Sequence, residues 1–386
     1  MTAVTGANSV RRFNEIEGLR GLLAWAVLIG HTANYTAQNL PGAQFSWISQ
    51  FPGPAVTIFI CISGFVIAHL ILTKREPYPV YIIRRWFRLF PCFAVGCILG
   101  GMTAFLGVAA EPYMAWADQP GFEFSQEAKM TLDSQIAFFP AHTIMHLLLL
   151  YGIVPDTILP FSERVFLPPG WSLTLEWQFY LLAPFLTPLF IGRKRIFIGL
   201  GFTVLMLVIW YGLLRDYYRL PSFLPAKFYC FAIGIMARVY FEKLHAILMY
   251  AWVRTASVAG CCTIGLIAPG VGLFIAFIIY LATDRRWFSK GISLQLNRVF
   301  QMIFTSRLAL HFGSLSYAIY VLHWPCIEFS GYIILKYWQL DSVTATIVVG
   351  FATMSLCYFA ALVVHYTIEQ PSIRIGARLA KAVETR

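Results

Sequence analysis

Charge is what this chain has least of. Asp, Glu, Lys and Arg make up only 12% of its 386 residues, whereas 59% are hydrophobic. An ordinary soluble domain carries about twice that charged share. A soluble fold of this length could not hide so much apolar surface, so most of the mass belongs in a bilayer. Other absences bear on chemistry. The chain has no Walker A loop, no Gly-x-Ser-x-Gly elbow and no His-Glu-x-x-His helix. These gaps argue against an ATP-driven pump, an ordinary serine hydrolase and a zinc protease. No Cys-x-x-Cys pair or Cys/His cluster with zinc spacing occurs either. The eight cysteines therefore read as buried free thiols, and no metal site is expected. No Lys/Arg block is interleaved with exposed aromatics, so nucleic acid is not an expected partner.

What is present is a series of long apolar runs. Candidate spans fall at about 18–36, 54–73, 89–109, 172–191, 196–214, 223–241, 247–268, 270–283, 314–335 and 343–365. The net charge of +11 then reads as topology, because basic residues collect in short cytoplasmic loops and next to anionic lipid. With the N-terminus inside, those loops hold Arg11 and Arg12, then Lys74, Arg75, Arg84, Arg85 and Arg88, and then Arg193-Lys194-Arg195. Lys243, Arg285, Arg286, Lys290, Arg298 and Arg307 follow, and the tail carries Arg374, Arg378, Lys381 and Arg386.

The expectation is thus an all-α integral membrane protein, a single domain over 1–386 with about ten transmembrane helices. Residues 1–16 form a cytoplasmic segment, 110–170 an extracytoplasmic loop and 366–386 a cytoplasmic tail. The stretch Ile136 to Val154 is apolar but is broken by Pro140 and Pro155. A crossing there would put the Arg193 cluster outside, so it reads as a re-entrant or interfacial segment.

Ionisable residues inside these runs are costly in a bilayer and so mark candidate sites. Arg20 and His31 are eleven residues apart in the first run, which returns both to nearly one helical face about 16 Å apart. His31 suits a general base; its alternative is a packing histidine bonded to a carbonyl. Arg20 has the alternative of a snorkelling interfacial residue. Arg84, Arg85 and Arg88 open the third run, where forked guanidiniums at a helix N-terminus suit phosphate oxygens, unless they only anchor the helix.

Pro169-Gly170-Trp171-Ser172 starts another helix, with Ser172 placed to cap it and Glu176 and Tyr180 sharing a face one turn apart. The partner of Glu176 is open between His31, Arg20 and a substrate hydroxyl. In Ser316-Tyr-Ala-Ile-Tyr320-Val-Leu-His323-Trp-Pro325, the residues Ser316, Tyr320 and His323 fall near one face. They form a functional group or a polar packing seam. Glu369-Gln370-Pro371 reads as a structural close to the last span.

In order, these segments resemble acyltransferase family 3. The resemblance rests on Arg20 with His31, on Ser63-Gly64-Phe65 followed by Arg84-Arg85-x-x-Arg88-x-x-Pro91, on Trp171-Ser172-Leu-x-x-Glu176-x-x-Phe-Tyr180, and on Ser316-Tyr-x-Ile-Tyr320-x-x-His323-x-Pro325. It implies a bundle in a bacterial inner membrane, with both termini cytoplasmic. Such a protein moves an acyl group, commonly acetyl, from cytoplasmic acyl-CoA to a hydroxyl of a carbohydrate or cell-surface glycan. Acyl-CoA would be a substrate, with no tightly bound cofactor. By the resemblance His31 is base or acyl carrier, Arg20 orients the donor and Glu176 positions the acceptor or tunes His31. Trp171, Ser172, Tyr180, Tyr320 and His323 support the acceptor. The hydrolase-like domain that many relatives carry is not seen after the last span, which implies a stand-alone enzyme or a separate extracytoplasmic partner; a homo-oligomer is a further expectation. The alternatives are an acyltransferase for a small glycosylated or lipophilic metabolite, and a proton-coupled transporter.

Overall fold

The computed structural model describes residues 13–283 and 291–385. Arg11, Arg12, Arg285, Arg286, Lys290 and Arg386, used above to set the topology, lie outside the described residues, as does most of the segment 1–16. Sixteen α-helices run in order among the described residues. They are α1 (Asn14–Tyr35), α2 (Ser46–Ser49), α3 (Pro52–Thr73), α4 (Tyr78–Ala109), α5 (Phe124–Ala137), α6 (Phe139–Leu147), α7 (Trp171–Leu186) and α8 (Arg195–Ile209). Then come α9 (Leu224–Val239), α10 (Phe241–Ile247), α11 (Ala251–Ile267), α12 (Pro269–Ala282), α13 (Gly291–Thr305), α14 (Arg307–Tyr337), α15 (Ser342–Val364) and α16 (Gln370–Glu384). No strand occurs among the described residues. Several starts follow simple rules. Proline stands in the first turn of α3, α4, α9, α12 and α16, where its missing N–H is no loss. Ser306 and Asp341 cap α14 and α15 by accepting backbone N–H groups.

The count of ten spans is not reproduced. Five helical stretches are individually long and apolar enough to cross: 46–73, 78–109, 195–217, 307–337 and 342–384. The pair α9 and α10, bent by 65°, would make a sixth. The physical reason lies in how the apolar runs are divided. α11 and α12 have only 17 and 14 residues, short of the roughly 20 that a crossing needs. α1 is long, but Arg20, His31 and Asn34 lower its hydropathy. It can tolerate them because it packs inside the bundle against α14, α3, α13 and α15.

Two features of this layout also differ from expectation, and the segment 136–154 keeps to it. The helix of the arginine cluster begins at Tyr78, not near 89, so the arginines lie on its flank, away from its N-terminus. The expected cytoplasmic tail contains α16, which packs along α4. It is preceded by a π-helical turn over His365–Glu369, in which the buried His365 and Glu369 pair at 2.8 Å. The segment 136–154 holds the short α6 and a 3-10 turn, neither long enough to cross.

Small residues set how closely the central helices approach. A Cβ on Gly21 of α1 would stand 2.7 Å from the backbone nitrogen of Gly313 in α14. α1 and α14 therefore touch backbone to backbone, as small residues permit in membrane bundles. Gly234 of α9 does the same against α3, where an added Cβ would meet the Phe65 nitrogen at 2.7 Å. This frame holds α1, α3, α4, α7 and α14 around the polar residues.

Candidate functional site

Two cavities enter the bundle from opposite ends of α1. The first, of about 620 Å³, meets the start of α1 at Asn14, Glu17 and Arg20. The second, of about 630 Å³, meets its end at His31, Asn34 and Tyr35. Arg20 and His31 share a stripe, as their spacing suggests, but they face different cavities.

The first cavity has a cationic excess. Arg20, Lys74, Arg85 and Arg88 face it against Glu17 and Glu176. Arg84 does not line it. Its guanidinium pairs with Glu76 at 3.0 Å instead. Arg85 lies over the Tyr180 ring, 5.9 Å from its centroid, and its Nε is buried without a partner. Glu176 accepts from the Ser63 hydroxyl at 2.7 Å and from the Tyr180 hydroxyl. The open question of its partner thus resolves to Ser63 of α3 and Tyr180 one turn along its own helix, and not to His31. The deep wall is apolar, with Val56, Phe59, Ile60 and Ile62 from one face of α3.

Ser172, Ser316 and Tyr320 close the cavity at its inner end. Ser172 does not cap α7. The cap position is Gly170, and the Ser172 hydroxyl shares a 2.7 Å hydrogen bond with that of Tyr320. The Tyr320 hydroxyl also lies 2.9 Å from the Pro169 carbonyl, which accepts from it. Ser316 Oγ is buried with no partner.

The second cavity begins on the far side of that pair, where Pro169 and Trp171 form part of its wall. It has the opposite character. Glu123, Glu127 and Arg164 leave an anionic excess, and Asn34, Asn39, Ser46, Ser49 and Gln50 supply uncharged polar groups. His31 is half-buried in its wall, stacked on His323 with ring centroids 5.3 Å apart and planes 19° apart. Trp324 meets His31 edge-on at 5.6 Å. His323 itself lines neither cavity. Its Nδ1 donates to the Tyr320 carbonyl at 2.6 Å, and its Nε2 is buried without a partner. The chain of contacts Tyr320, His323, His31 thus runs from the floor of one cavity to the wall of the other.

Sequence reasoning missed Glu328. It lies on α14 four residues after Trp324, buried at 6% exposure. It accepts from the Trp324 indole N–H at 3.0 Å and from the Thr103 hydroxyl at 2.6 Å. The available signal was an acid inside an apolar span, the criterion that singled out Glu176. No group of His, Cys, Asp and Glu able to hold a metal occurs among the described residues.

The arrangement can bind an anionic group at one end, place a neutral reacting centre beside two hydroxyls, and offer an imidazole from the other end. Comparison with known proteins adds a family match. The family model described as "Acyltransferase domain", acyltransferase 3, matches residues 13–362. The acyltransferase MdmB of Streptomyces mycarofaciens is 26% identical over 184 residues, which is 45% of this chain and 39% of that protein. The match thus spans well under half the length of that relative. No solved structure matches the chain.

Proposed function

Because the chain belongs to the acyltransferase 3 family, a multi-pass membrane acyltransferase by sequence and fold, we propose that it carries an acyl group between its two cavities. The donor is acyl-CoA, with acetyl-CoA first among them, and the acceptor is a hydroxyl of a carbohydrate or cell-surface glycan. One observation carries this reading: cavities of opposite charge enter from opposite ends of α1 and stop at a shared partition of Ser172, Tyr320 and Pro169. In this reading the cationic cavity and both termini face the cytoplasm of a bacterial inner membrane, where basic residues concentrate.

The CoA phosphates lie against Arg85 and Arg88, whose forked guanidiniums suit phosphate oxygens. Arg20 meets the donor deeper in the same cavity. The pantetheine arm runs along Phe59, Ile60 and Ile62 and brings the thioester to the partition. Its carbonyl oxygen accepts from the Tyr320 hydroxyl, which turns from the Pro169 carbonyl to do so, or from that of Ser172, which turns from Tyr320, and this stabilises the negative charge that develops there. From the other cavity His31 takes the proton of the acceptor hydroxyl as that oxygen attacks the thioester carbon. The carbon–sulfur bond breaks, the ester forms, the leaving thiolate takes a proton from water in the donor cavity, and His31 releases the proton it took to water in its own cavity. Glu176, fixed by Ser63 and Tyr180, orders the Tyr180 ring beneath Arg85. Trp171 and Trp324 offer ring faces, and Asn34, Asn39 and Gln50 offer amides, a mixture suited to a sugar with an apolar face and a polar edge.

The test is mass spectrometry of envelope glycans from cells expressing wild type or His31→Ala at matched membrane levels. An acyl increment, about 42 Da for acetyl, in wild type alone supports transfer through His31. An increment in both removes His31 from the mechanism. An increment in neither rejects the glycan acceptor.

A further inference from the structure

A side chamber leaves the second cavity between α4, α5 and α14. Phe124, Glu127, Arg164 and Trp324 line both spaces. The chamber encloses about 90 Å³, roughly the liquid volume of three waters at ~30 Å³ each. Glu328 forms part of its wall. Both carboxyl oxygens of Glu328 already accept a hydrogen bond, one from Thr103 and one from Trp324. Those donors are neutral, and no cation pairs with Glu328 among the described residues. The other charged groups on the chamber wall, Glu127 and Arg164, neutralise each other at 2.5 Å. A carboxylate held this deep without a counter-ion is costly to the fold.

A second observation is independent of that charge. Gln135 also lines the chamber and is 8% exposed. Its Nε2 donates to the Gly101 carbonyl at 3.3 Å, which leaves Oε1 buried with no partner. The chamber therefore holds an unanswered acceptor beside an uncompensated acid. The remaining walls include the rings of Phe124, Phe166 and Trp324, whose faces attract alkylated ammonium groups. Phe166 is kept there with φ at 63°, in the left-handed region that a bulky residue avoids. At the mouth, Arg164 Nε is buried without a partner and leaves one donor for a neighbouring hydroxyl oxygen.

We propose that this chamber binds an alkylated ammonium group, about the size of a trimethylammonium group, with a hydroxyl next to it at Arg164. That the amine belongs to the acyl acceptor rests on the transfer reading above; the binding does not. An anion is disfavoured by Glu328 and Gln135 Oε1. A purely neutral group leaves the acid uncompensated.

The probe pair is choline and its neutral isostere 3,3-dimethyl-1-butanol, titrated calorimetrically into the full chain in dodecyl maltoside. Choline binds saturably and the neutral isostere does not. Glu328→Gln, which keeps an acceptor oxygen for the Trp324 indole and turns its amide toward the Thr103 hydroxyl, which can accept, weakens choline at least tenfold. Gln135→Leu weakens it by a smaller factor. Equal binding of the two probes overturns the proposal, as does unchanged choline affinity in Glu328→Gln. Displacement by potassium at the same concentration as choline also overturns it, because the site is then one for an inorganic cation. If Glu328→Gln fails to fold, the probe pair on wild type and Gln135→Leu decide. Acyl-CoA turnover on the same preparation reports separately on the transfer reading, so either can fail alone.

Discussion

Tyr320 of α14 shares a 2.7 Å hydrogen bond with Ser172 of α7, and these two hydroxyls stand between the cationic and the anionic cavity. The bond holds two helices from distant parts of the sequence at the point where an acyl group would have to pass. Tyr320→Phe removes one neutral hydrogen-bonding group, at a stability cost of about 1 kcal/mol. If the hydroxyl also polarises the thioester, transfer falls by roughly 10²-fold or more. Tyr320→Ala opens the partition and lets water reach the donor. The expected readout is continued CoA thiol release with little acylated acceptor, measured by thiol titration alongside product mass spectrometry.

The arginine cluster divides by geometry. Arg85 and Arg88 line the cationic cavity, whereas Arg84 is paired with Glu76. Arg85→Ala and Arg88→Ala should each raise the KM for acyl-CoA by about tenfold to a hundredfold, matching ~1.5–3 kcal/mol for a charge-assisted hydrogen bond. Arg84→Ala should leave that KM unchanged. Steady-state kinetics over a range of salt concentrations checks both, because the contribution of Arg85 and Arg88 weakens as salt rises.

The contact of α1 with α14 predicts intolerance of a single methyl group. Gly21→Ala would force the two backbones apart, with a destabilisation of at least ~1–3 kcal/mol. Gly201 on α8 has open space where a Cβ would go. There the same change is expected to stabilise by roughly 0.5–1 kcal/mol. Melting of both variants in detergent, with wild type as reference, makes the comparison.

The outer segment carries a pH dependence of known sign. His142 and His146 lie on α6, outside the helices long enough to span. Burial, the larger cause for each, lowers their pKa values to about 4 and about 3. Their unfolded values lie near 6.5. Between those limits the unfolded segment binds more protons than the folded one, so stability is full above about pH 6.5 and declines as pH falls toward 4. Amide exchange over 139–147 should therefore quicken from pH 7 to pH 4.5 after correction for the intrinsic rate. His146→Phe, which keeps a ring against Tyr151, should blunt that change. Unchanged protection in wild type would contradict the assignment.

Helical spacing told some relationships and not others. Glu176 and Tyr180, four apart, do meet, because both ends of that contact lie on one helix. Arg20 and His31 share a stripe, yet the distance along α1 carries them to different cavities, a matter settled by the neighbouring helices. The arginines failed for a related reason. The spacing of Arg84 and Arg88 suggested a common face, but Glu76 just before the helix draws Arg84 away and Arg85 turns inward. Ser172 looked like a cap because a Pro-Gly turn precedes it; Tyr320, 148 residues later, takes its hydroxyl instead. The apolar runs gave a helical membrane protein, while their division into crossings depended on breaks such as Ala268, which splits α11 from α12.

The glycine contact at Gly21 and Gly313 also has a mechanical meaning. Two helices whose main chains touch cannot slide or roll past each other without one climbing over the other, so α1 and α14 move as a single strut. His31 stands on one half of that strut and Tyr320 on the other, so a rigid strut fixes their separation. Ser172 comes to that strut from α7 and its Pro168–Gly170 lead-in, so its bond to Tyr320 ties the strut to a separate helix.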